Sequence, residues 1–93
     1  MPSGTQPEAG PFARAISAEF RAAMGRKQVS GPQLAKLSGL SRSYLSKRLR
    51  DEASFTLNDV EAISAALEMS LMGVLQVAVR SSALDKHQRR PQP

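Results

Sequence analysis

Arg42, Ser43, Tyr44, Ser46 and Lys47 fall within a span of six residues, and each carries a group suited to the edge of a nucleobase. Arginine and lysine donate to guanine O6 and N7, serine donates or accepts, and a tyrosine ring touches a thymine methyl or a phosphate. Around them lies an acid-free stretch: between Glu19 and Asp51 the chain has eight Lys or Arg and no Asp or Glu. Cations so concentrated neutralise phosphates, and such contacts set register without reading sequence. The candidates for this second task are Arg26, Lys27, Ser30, Gly31, Gln33, Ser41, Arg48 and Arg50. A run of charge is most often only a solvated face, so the reading depends on the elements that carry it.

A helix has to present the five base-facing candidates. At about 100° per residue, Ser41 to Arg50 places Leu45 and Leu49 together, with Arg42 beside them at the exposed start. Ser43, Ser46, Lys47 and Arg50 fall on the outer arc. Tyr44 sits at its edge, where the ring either faces outward or lies against the preceding helix. That preceding helix starts at Ser30 or Gly31, with Pro32 in its first turn. Leu34, Ala35 and Leu37 form its inward face, and Gly39 ends it by accepting positive φ. Ala35 is small where the next helix packs closely, Gly39 follows four residues later, and Leu45 anchors the next helix six residues past the glycine. That is the spacing of a helix-turn-helix.

Three further helices complete the expected fold. Phe12, Ile16, Phe20, Ala23 and Met24 recur at helical steps and predict a first helix ending near Gly25. Ser41 caps the third helix with Leu40 stapled to Leu45, and Thr56 caps a fourth, with Asp59 completing a capping box and Phe55 stapled to Val60. Val60, Ile63 and Leu67 make its core stripe. Ser70 caps a fifth helix running to about Ser81 or Leu84. No useful stretch alternates with period two, so the expected class is all-α with five helices.

Ninety-three residues with a net charge of +5 and no cysteine fit one small core, a polyanionic partner and a reducing compartment. Residues 1–10 read as a disordered arm, 11–84 as the folded domain and 85–93 as a basic, flexible tail whose Lys86, Arg89 and Arg90 suit phosphate contact. The N-terminus has no secretory pattern and no apolar run approaches the length of a membrane span, so a cytoplasmic protein is expected. Catalysis is not: His87, the one histidine, lies in the tail, Asp51 and Glu52 are neighbours in an exposed turn, and no nucleophile–base pair, metal cluster or phosphate loop is visible. No cofactor, metal or small-molecule ligand is expected.

The ordered set Leu34-Ala35, Gly39-Leu40-Ser41, Leu45-Ser46-Lys47, Phe55-Thr56-Leu57, Val60-Glu-Ala-Ile63 and Ala66-Leu67 resembles the Cro/C1 (XRE-like) helix-turn-helix family over about Phe12 to Val79. The resemblance implies a five-helix lambda-repressor-like domain whose third helix enters the major groove of an operator. It implies a transcriptional regulator of bacterial or phage-infected cells, nucleoid-associated, and most simply a repressor of the Cro or phage-immunity type. Two departures stand out. Gly31-Pro32 occupies the place where family members often carry Gln or Thr-Gln, and Arg48-Leu49 replaces an apolar residue followed by Glu. The fifth helix adds an expectation: Met72, Val77 and Val79 lie outside its main apolar stripe, which marks them as a candidate homodimer interface. An antitoxin with a second surface for a toxin, or a helix-turn-helix interaction module that does not read DNA, would use the same scaffold.

Overall fold

The computed structural model describes residues 8–88, with side chains as far as residue 83. Five helices follow in order: α1 Pro11–Lys27, α2 Gly31–Ser38, α3 Arg42–Leu49, α4 Leu57–Ala66 and α5 Leu71–Gln88. Among the described residues there is no strand, as the all-α pattern requires.

The helix starts form as their local chemistry dictates. The Ser30 hydroxyl accepts from the Gln33 N–H while the Gln33 side chain accepts from the Ser30 N–H, and Thr56 and Asp59 make the same reciprocal box at α4. Ser41 accepts from the Tyr44 N–H at 3.2 Å and Ser70 from the Gly73 N–H at 3.1 Å. These bonds satisfy N–H groups that a helix cannot pair internally. At the other end of α2, Gly39 sits at φ 80° and its N–H returns to the Ala35 carbonyl, which ends the helix and turns the chain into α3.

α1 packs chiefly along α5, α2 against α3 and α4, and α4 against α5. Ile16, Phe20, Ala23, Leu34, Ala35, Leu45, Val60, Ile63, Leu67, Val74 and Ala78 form one buried core. Phe20 is its centre, fully buried and edge-on to Phe55 with ring centroids 5.7 Å apart. Ala35 is buried where α3 crosses α2, and Leu45 fills the space beside it.

Four sequence expectations are corrected. α1 continues past Gly25 to Lys27, because Gln28 takes the left-handed conformation (φ 56°) and supplies the terminating bonds to Gly25 and Met24. Leu37 is 61% exposed and Phe12 41% exposed, since the two-turn α2 and the first turn of α1 overhang the core rather than face it. α5 extends to Gln88, so the expected end of the domain at residue 84 falls inside the helix. Ala9, assigned to the loose arm, is buried, and its N–H donates to the Asp51 carbonyl at 3.4 Å. Residues 1–7 and 89–93, which hold the rest of the arm and tail, lie outside the described residues.

Candidate nucleic-acid interface

The outer arc of α3 is built by what its inner side buries. Leu45 goes into the core and Leu49 packs against it, which leaves Arg42, Ser43 and Lys47 exposed and Ser46 half-buried. The side chains of Arg42, Ser43 and Lys47 make no hydrogen bond among the described residues, although the Lys47 charge acts on the Glu52 carboxylate, so their donors can meet a ligand. Ser43 and Lys47 are exposed as the wheel predicts, and Arg42, set by the wheel beside Leu45 and Leu49, is exposed at the start of the helix.

Tyr44 and Arg48 are placed differently. The Tyr44 hydroxyl donates to Asp59 Oδ2 at 2.6 Å, and the same oxygen accepts from the Thr56 N–H at 3.0 Å. The Arg48 guanidinium lies 3.6 Å from the Tyr44 ring centre and donates to the Tyr44 carbonyl. Arg48 is only 8% exposed; expected as a phosphate contact, it is instead stacked on an aromatic face, where a weakly hydrated planar cation is stable. Tyr44, expected at a base edge, has its polar end committed to α4. The hydrogen bond to Asp59 raises the phenol above its ordinary value, with burial and the charge of Asp59 acting in the same direction.

The far end of α3 is held by α1. Ser17 donates to the Arg48 carbonyl at 3.2 Å and Arg21 to the Leu49 carbonyl at 2.6 Å, which satisfies carbonyls that the helix end leaves open. Arg21 also pairs with Asp51 at 3.6 Å. Asp59, Ser17 and Arg21 are thus three supports of α3 that the sequence reading missed. Asp59 was legible only as a cap, and Arg21 carried no signal beyond its charge.

Of the expected phosphate contacts, Lys27 and Gln33 are exposed at the α1–α2 corner, and Arg26 is exposed but within 3.9 Å of Glu19. Arg50 is turned toward its own neighbours: Nε donates to Glu52 at 2.8 Å and Nη1 to Ser46. That contact holds the Glu52 carboxyl below its ordinary value and raises the Arg50 guanidinium. The start of α2 has one backbone donor left for an anion. Ser30 and Gln33 spend their N–H groups on the capping box and Pro32 has none, so Gly31 alone retains it. Ser41 serves as the α3 cap.

Among the described residues no three His, Cys, Asp or Glu side chains gather as a metal would require, and no single helix is long and apolar enough to cross a membrane. On α5, Met72 and Val79 are 62% and 57% exposed and Val77 37%.

Known proteins fit this geometry. A helix-turn-helix family model matches residues 18–73. No curated protein sequence matches the chain. Among solved structures, the clp gene regulator ClgR from Corynebacterium glutamicum superposes with a TM-score of 0.75 at 30% identity, covering 88% of this chain and 86% of that one. A hypothetical transcription factor, NHTF, from Neisseria gives a TM-score of 0.62 at 28% identity over 81% and 83% of the two chains. The wild-type restriction-modification controller protein C.Esp1396I gives 0.73 at 22% identity over 83% and 99%, an identity that speaks for the fold alone. The family match spans the two helices of the motif, their capped turn and the two helices on either side, and the chain belongs to the Cro/C1-type helix-turn-helix family of DNA-binding transcription regulators.

Proposed function

We propose that the chain is a sequence-specific operator-binding repressor of the Cro or phage-immunity type, acting in the cytoplasm by occupying DNA that polymerase needs. The observation that carries this reading is the ridge of α3. Arg42, Ser43 and Lys47 are exposed and uncommitted on a helix whose other side is locked in the core. An α-helix fits the major groove with its N-terminal half at the base edges, and Arg42 stands first in that half. Arg42 is the principal base reader, with Ser43, Ser46 and Lys47 beside it. Lys27, Gln33, Arg26, Arg50 and the Gly31 N–H approach phosphates, Arg50 after exchanging Glu52 for the DNA.

A homodimer joined through Met72, Val77 and Val79 would place two such ridges on half-sites about 34 Å apart. The similarity to a clp gene regulator supports a regulatory role. Selection from a random duplex pool tests the reading. A palindromic motif should emerge for the natural chain, and the Arg42→Ala, Lys47→Ala double variant should lose it, each bidentate contact contributing about 1–3 kcal/mol of discrimination. Absence of any enriched motif would instead support an interaction module, and copurification of a small partner would support an antitoxin.

A further inference from the structure

Beside the α3 ridge lies a groove of about 560 Å³, bounded by the C-terminal half of α1, the start of α2 and α3 itself. Its volume falls in the range of roughly 300–1,000 Å³ typical of small-molecule sites. Met24, Pro32 and Leu49 give it an apolar lining, while Arg21, Arg42 and Arg50 stand around it. The three arginines are not equivalent. Arg21 is engaged by the Leu49 carbonyl and Asp51, and Arg50 by Glu52 and Ser46. Arg42 is exposed and has no such partner among the described residues. The groove also stays open on the α2 side, because Gly31 has no side chain and a methyl group built there would meet nothing within 4 Å.

A phosphodiester passing over this groove meets the arginines but leaves the apolar lining in contact with water. A molecule with both characters satisfies both. We propose that the groove binds a small amphipathic anion, with an apolar body on Met24, Pro32 and Leu49 and a carboxylate or sulfonate head on Arg42, and that the bound anion excludes DNA. The exclusion follows because Arg42, Ser43 and Ser46 line the groove and also belong to the base-facing ridge. That consequence rests on the operator reading above, whereas the binding itself does not. The chemistry thus makes room for an effector on the DNA-reading side of the domain.

The test uses the full chain, without DNA, titrated with anilinonaphthalene sulfonate, whose fluorescence rises on transfer to an apolar site. Saturable single-site enhancement is expected, with a Kd of the order of tens of micromolar for a ligand of that size. Arg42→Ala and Met24→Glu should each weaken binding by about tenfold, and the uncharged phenylnaphthylamine should bind comparably weakly. Ala65→Gln, on the exposed side of α4, should leave the titration unchanged. Pro32→Glu, at an exposed position, serves as the second lining variant should circular dichroism show Met24→Glu unfolded. No saturable enhancement, or equal binding by the lining variants or by the uncharged analogue, would overturn the site. A selected duplex should displace the probe, and simultaneous binding of both would overturn the exclusion. A chain that binds the probe yet enriches no duplex would refute the operator reading and leave the groove assignment standing.

Discussion

Asp59, whose carboxyl receives the Tyr44 hydroxyl, is itself only 6% exposed, so removing the donor leaves that buried oxygen with the Thr56 N–H alone in place of two donors. Tyr44 is the chain's one tyrosine, and ultraviolet absorbance therefore reads its ionisation directly. The midpoint should lie above the ordinary 10.0, and Asp59→Asn should bring it back toward that value. Because the folded-state pKa is raised, this contact stabilises fully below the unfolded value of about 10 and is lost as pH rises through the folded one. Alkaline urea titrations should show stability falling there, and less steeply in Asp59→Asn. Arg48 and Lys47 give a second contrast between adjacent cations. Lys47→Ala should reduce the salt slope of DNA binding by about 1 with little change in stability. Arg48→Ala should leave the slope and lower stability by about 1–2 kcal/mol through lost stacking and packing; the reverse pattern would return Arg48 to the phosphates. The wheel located the buried Leu45 and the exposed Ser43 and Lys47 because those depend on azimuth alone, and Arg42 because it stands at the open start of the helix. It missed the Tyr44 environment because Asp59, fifteen residues on, reaches the hydroxyl only once the start of α4 is in place, and it missed Arg48 because azimuth does not show that its guanidinium folds back onto the ring one turn earlier.

At the level of elements, what was legible was local. Ser30 with Gln33, Ser41, Thr56 with Asp59, and Ser70 all cap within four residues of themselves, and Gly39 declares its turn by the φ it must adopt. Gly39→Ala should therefore cost about 1 kcal/mol or more in urea denaturation, and it should loosen operator binding as well, because this turn sets the angle between α2 and α3. A stability equal to that of the natural chain would mean that the turn relaxes freely. The ends of α1 and α5 escaped the reading for the opposite reason. Gln28 is left-handed without being glycine, and α5 continues to Gln88 because polar residues such as Ser81 and Ser82 do not stop a helix that already has a turn to build on. Leu37 carried an apolar signal at a position that the short α2 never turns inward.

For the whole molecule, α1 packs along α5 and against α3, while α4 packs against α2 and α5, and α5 shows a second apolar side at Met72, Val77 and Val79. Val79→Glu places a carboxylate in that side, and sedimentation should show a dimer of the natural chain converted to monomer with little change in helix content. A natural chain that sediments as a monomer at all concentrations would remove the symmetric operator model. The clamps at both ends of α3, Tyr44 on Asp59 and Ser17 and Arg21 on its last carbonyls, use none of the exposed ridge residues. Exchanging Arg42, Ser43 or Lys47 therefore breaks none of the clamping hydrogen bonds. Fold and outer surface are encoded in separate residues, which leaves the domain free to diverge toward new operators by drift at those few positions without first surviving a loss of stability.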